Sequence, residues 1–71
     1  MLFYRWNSLH FASQNGHNEV GQTLIDNGIE VDAVTDDEDT ALILASQDGH
    51  LPCVEMLLKN GAHVNHKTQT G

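Results

Sequence analysis

The sequence predicts an all-α repeat fold, an α-solenoid in which helix-turn-helix units stack along one axis, and three observations predict it. The six residues Ala12 to His17, ASQNGH, return 33 positions later as ASQDGH over Ala45 to His50. Sliding the chain by the same 33 positions also matches Leu9 with Leu42, Leu24 with Leu57, Asn27 with Asn60, Gly28 with Gly61, Val31 with Val64 and Thr35 with Thr68, with no gap. Such a fixed period is the mark of a repeated supersecondary unit. Within each unit, finally, the apolar residues recur at helical spacing in segments shorter than the roughly 12–15 residues an isolated helix needs. Segments that short hold together only by burying their apolar stripes on a neighbour, which is what a stacked repeat supplies.

Each element follows from its local chemistry. In the first unit Leu9 and Ala12 mark a first helix and Val20, Leu24 and Ile25 a second, ended by Asn27-Gly28. Ile29 to Asp39 is polar and turn-rich and reads as an extended excursion between units. In the second unit Thr40 is the expected N-cap of a helix over Ala41 to Gln47, and Gly49 supplies the left-handed residue that ends it. Pro52 suits the first position of the next helix. There Cys53 and Leu57 lie four apart, as do Val54 and Leu58, until Asn60-Gly61 stops the stripe. Every unit is thus a helix, a turn, a helix and a protruding loop.

Composition narrows the function. The chain has 71 residues, three Lys or Arg against ten Asp or Glu, and a net charge of −7. A phosphate backbone or an anionic membrane surface calls for the opposite sign, so neither nucleic acid nor membrane is an expected partner. The longest apolar run, Ala41 to Ala45, is far too short for a membrane span or a signal peptide. The single cysteine, Cys53, rules out an internal disulfide framework and fits a reducing, intracellular setting, cytoplasmic or nuclear.

These residues carry a family resemblance. "DTALILASQDGHLPCVEMLLKNGAHVN" in unit two is similar to the ankyrin-repeat pattern T-P-L-H-x-A-A, then G-H, then L-L-x-x-G-A-x-V-N; "WNSLHFASQNGHNEVGQTLIDNGIEVD" in unit one is a looser match. The resemblance implies one ankyrin-repeat region over residues 1–71, with repeat one at about 5–34, repeat two at about 35–67, and the opening of a third at 68–71, its loops protruding in β-hairpin fashion. A chain that stops mid-motif reads as a fragment of a longer array, a truncated chain or a short reading frame. Several departures from the pattern matter. Ser8 and Ala41 stand for the usual proline, and Ile43 for the usual histidine. Asn7 can still pair with His10 as the family's threonine and histidine do, whereas Thr40 lacks that partner. Gly21 stands where unit two has Val54, removing a buried side chain and costing roughly 1 kcal/mol of helix propensity. Glu38 stands at the glycine of the hairpin, where its turn needs another backbone or carries strain.

The resemblance implies a scaffold without catalysis or cofactor, one that binds other proteins through its tips and the faces of its first helices. By register the first tip holds Phe3, Tyr4 and Trp6 and the second Asp36, Asp37 and Asp39, while Gln14, Asn15, Asn27, Gln47, Asp48 and Asn60 line the adjoining concave surface. Aromatic residues make desolvated anchors and clustered carboxylates steer a basic partner, so the expected partner is a protein segment with an apolar anchor beside Lys or Arg. The plainer alternatives are that Met1 to Tyr4 cap the apolar end of unit one, that Trp6 is half-buried packing, and that Asp36 to Asp39 are a solvated loop. A purely architectural spacer is the corresponding alternative function. Both ends of a two-unit stack expose apolar surface, so end-to-end self-association or flanking repeats are expected.

Other chemistries have less to stand on. His50-x2-Cys53 and His63-x2-His66 have zinc-ligand spacing, yet Cys53 lies in an apolar stripe and His50 simply repeats His17. The acidic run lacks the glycine and closing glutamate of a calcium loop. Ser8, Ser13 and Ser46 sit near histidines but in no nucleophile-elbow context. Asn65 resembles a hairpin asparagine that some ankyrin repeats have hydroxylated, although His63 replaces the acidic residue usually preferred there.

Overall fold

The computed structural model describes residues 5–64. Four helices follow one another: α1 (Ser8–Gln14), α2 (Asn18–Asp26), α3 (Ala41–Gln47) and α4 (Leu51–Lys59), and no strand occurs among the described residues. The helix-turn-helix reading therefore holds twice, and the third helix spans the residues expected of it. Pro52 falls one position later than expected, because Leu51 opens α4.

Capping differs between units as the side chains dictate. The backbone N–H of His10 donates to Asn7 Oδ1 at 2.9 Å, and the N–H of Asn7 donates to His10 Nδ1 at 2.9 Å, a reciprocal capping box. Thr40 Oγ1 accepts only the Ile43 N–H, at 3.2 Å, since isoleucine offers nothing in return. Both first helices end alike. Gly16 and Gly49 take φ of 74° and 73°, a left-handed geometry, and the following N–H groups of His17 and His50 close back onto Ala12 and Ala45 at 2.8 and 2.9 Å. The repeated hexapeptide is this helix end.

Inside each unit α1 packs on α2 and α3 on α4; between units α1 packs on α3 and α2 on α4. The core is Leu9, Ala41, Leu42, Ala45, Cys53, Met56, Leu57 and Ala62, with Leu24, Ile25, Ile29, Val31 and Val54 partly buried against it. Gly21 has a role here that the sequence comparison missed. A Cβ on it would lie 2.8 Å from Met56 Cε and 3.3 Å from Leu9 Cδ1. Glycine lets α2 approach α4, and the missing side chain is replaced by the methionine of the next unit.

Polar side chains also tie the units together. His50 Nε2 donates to the Gln14 carbonyl at 2.9 Å. Gln22 and Asn60 exchange side-chain amide bonds at 2.8 and 3.2 Å. Asp32 accepts the backbone N–H of His63 at 3.0 Å and its Nδ1–H at 2.5 Å.

Candidate functional site

The best-defined candidate is the loop between the units. Its foundation is Thr35, 1% exposed, whose Oγ1 accepts the N–H groups of Asp37 and Asp39, both at 3.2 Å. The Thr35 N–H donates to the Asp39 carbonyl at 3.0 Å and the Glu38 N–H to the Thr35 carbonyl at 2.9 Å. One buried hydroxyl and two backbone bonds thus close a hairpin-like tip without a strand ladder. Asp36, Asp37 and Glu38 point their carboxylates into water, and Asp39 is half-buried. Glu38 takes φ of 66°, as does Arg5, its counterpart one period earlier, at 68°. The left-handed backbone at Glu38 is the strained geometry expected there, and Arg5 shares it although the sequence reading singled out Glu38 alone.

The loop is also held from below. His10, 1% exposed, accepts from Asn7 at Nδ1, so Nε2 carries the proton and donates to the Ala33 carbonyl at 2.8 Å. Sequence comparison found the Asn7–His10 pair but not this second bond. The signal was there: a histidine on the apolar face of a helix, where Ile43 stands one period later.

The remaining candidate residues fall into distinct environments. Phe3 and Tyr4 lie outside the described residues. Trp6 is half-buried, its ring 5.8 Å from that of His10 at 67° and 4.9 Å from that of Phe11 at 44°. It joins the tip to α1 by aromatic packing. Asn15, Gln47 and Asp48 are exposed at the ends of α1 and α3, and Gln14 is half-buried beneath His50. Asn27 is exposed, its amide donating to the Thr23 carbonyl at 2.8 Å. The Asn60 amide is occupied within the chain by Gln22 Oε1 and the Met56 carbonyl, at 2.8 and 2.7 Å.

The reactive side chains have structural positions. Cys53 is 1% exposed in the core; burial pushes its thiol up from the ordinary 9.0, and the neighbouring Ser13 hydroxyl offsets part of that rise. Ser13 itself is fully buried, and its Oγ has no hydrogen-bond partner of normal geometry among the described residues. The histidines and cysteine with zinc-like spacing are spread out: His50 is on Gln14, Cys53 is in the core and His63 is on Asp32, while His66 and Asn65 lie outside the described residues. Among the described residues no three His, Cys, Asp or Glu side chains gather as metal ligands would, and no helix is long and apolar enough to cross a membrane.

Comparison with known proteins agrees with this architecture. The family model described as ankyrin repeats in three copies matches residues 3–68. Among solved structures, the crystal structure of the human ASB11 ankyrin repeat domain is similar, with 40% identity and a TM-score of 0.84 over 89% of this chain. The chain spans 28% of that domain's length. A search of curated protein sequences found no match.

Proposed function

The chain belongs to the ankyrin-repeat family, whose repeats generally serve as protein-interaction modules, and on that premise we propose that it binds a partner carrying a basic segment through its acidic tip. The observation that carries this reading is the loop anchored on buried Thr35, which holds Asp36, Asp37 and Glu38 outward on a closed backbone. A backbone already closed needs little further ordering on binding, so more of the attraction between its carboxylates and Lys or Arg is realised. Trp6, tied to α1 beside the first tip, supplies the apolar neighbour. Gln14, Asn15, Gln47 and Asp48 extend the surface along the first helices. Asn27 and Asn60 border that surface at the ends of α2 and α4, with the Asn60 amide also joining the units through Gln22. A single thiol, buried in the core, supports work in the cytoplasm or nucleus.

The test uses synthetic peptides that place one aromatic residue between lysines, and matched peptides with glutamates in place of the lysines. Nuclear magnetic resonance titration should show binding of the lysine peptides alone, weakening as salt is raised. Asp36→Asn with Asp37→Asn should reduce that binding several-fold. Equal binding of both peptide sets, or no change in the double variant, removes the tip from the function and favours an architectural spacer.

A further inference from the structure

We propose that the two outer faces of the described repeats are complementary, and that the face of repeat two in one copy stacks on the face of repeat one in a second copy, in the geometry by which repeat two already stacks on repeat one. This surface is separate from the acidic tip and stands or falls independently of it.

The internal period supplies the comparison. In the covered interface, repeat one presents Ser13, Ile25 and Val31, which are buried or half-buried; the same positions at the uncovered end of repeat two, Ser46, Leu58 and Val64, are exposed, the last two at 43% and 66%. Leu58 and Val64 join Leu42, Ile43 and Val54 around an open depression of about 290 Å³. Repeat two in turn presents Cys53, 1% exposed, whereas Val20 at the same position of repeat one is 55% exposed. Among the described residues one repeat interface is thus made, and the residues matching each of its halves recur, exposed, on an outer face of the two-repeat stack.

The polar contacts of that interface also have their counterparts. His50 donates to the Gln14 carbonyl; the matching pair is His17, exposed and without a side-chain capping bond, and the carbonyl of exposed Gln47. The His50 ring passes over Gly16, where a Cβ would sit 2.7 Å from Nδ1, and the space over Gly49 is open for His17. Asn60 bonds its own helix at the Met56 carbonyl and uses its other amide hydrogen on Gln22. Asn27 makes the same bond within its helix, to the Thr23 carbonyl, and the position matching Gln22 is exposed Glu55, whose carboxylate in a second copy would take the other hydrogen of the Asn27 amide.

Volume is exchanged in a compensating way. Within the chain the smallest residue, Gly21, faces the long Met56. Across the proposed contact their places are taken by Val54 and Thr23. A larger residue on one side meets a shorter one on the other, so the packing is redistributed rather than overfilled.

A contact that joins unlike faces by near-translation is heterologous, and it leaves both outer faces free after each addition. Association is therefore open-ended and concentration-dependent. It also competes against the loss of free motion that the covalent link spares the internal interface.

Val20→Asp and Leu58→Asp test this, because both side chains are exposed in the single chain and a charge there remains in water. Sedimentation velocity of the unaltered chain should show an average mass that rises with concentration past that of a dimer. Each variant alone should remain monomeric, with circular dichroism confirming its helices. Mixed in equal amounts they should form a dimer that grows no further, built from the intact repeat-two face of V20D and the intact repeat-one face of L58D. Either variant dimerising alone would indicate a like-to-like contact and overturn the proposal. So would an unaltered chain that stays monomeric up to about 1 mM, where even a millimolar association populates dimers, or a mixture that stays monomeric.

Discussion

Replacing Ser13 with alanine isolates a single defect in the contact between the repeats. The Ser13 side chain is 0% exposed, and its hydroxyl meets the weakly bonding Cys53 thiol rather than a nitrogen or oxygen partner. An unsatisfied buried hydroxyl costs about 1–3 kcal/mol, and the thiol recovers part of that. Alanine also improves helix propensity by at most about 0.7 kcal/mol. The cavity left by one oxygen atom offsets little of the gain. Ser13→Ala should therefore stabilise the fold by about 1–2 kcal/mol, combining these two contributions. For a chain of this size that corresponds to a rise in melting temperature of about 4–8 °C per kcal/mol. The register supplies the control. Ser46 holds the same helical position but is exposed, so Ser46→Ala reports propensity alone, within about 0.7 kcal/mol. Thermal and urea melts of both variants, at one protein concentration, give the difference due to burial. If Ser13→Ala lowers stability while Ser46→Ala does not, the hydroxyl is making a favourable bond and the orphaned-group reasoning is wrong.

The other expectations are narrower. Glu38→Gly should stabilise by about 0.5–1 kcal/mol, because glycine removes the cost of the left-handed backbone although it frees the unfolded chain; Glu38→Ala removes the same charge but keeps the strain, so equal gains from both in urea melts would assign the effect to charge. The raised Cys53 thiol gives a pH dependence whose sign is fixed. Its contribution to stability is fully present below the unfolded thiol value near 9.0 and is lost as pH rises through the higher folded value. Melts between pH 7 and about 11 should thus fall more steeply in the native chain than in Cys53→Ala; parallel curves would show that Cys53 ionises in the fold as easily as in the unfolded chain.

The period and the caps are local chemistry, and sequence alone determined them. The left-handed turns at Gly16 and Gly49, the box between Asn7 and His10, the strain at Glu38 and the boundaries of α3 all depend on residues within a few positions of one another. Composition likewise gives an acidic chain, ten Asp or Glu against three Lys or Arg, because side-chain charge needs no fold. Tertiary structure decided what depends on residues about one period or more apart. Gly21 looks like a defect in its own helix, and only the approach of Met56 shows why a side chain does not fit there. Asn27 and Asn60 are the same residue at the same helical position, yet Asn60 is bound to Gln22 while the Asn27 amide bonds its own helix and is exposed. Ser13 and Ser46 likewise share the local sequence Ala-Ser-Gln but differ in burial. The physical reason is that burial belongs to the stack and not to the repeat: each unit carries two complementary faces, and only the neighbour determines which of them is withdrawn from water.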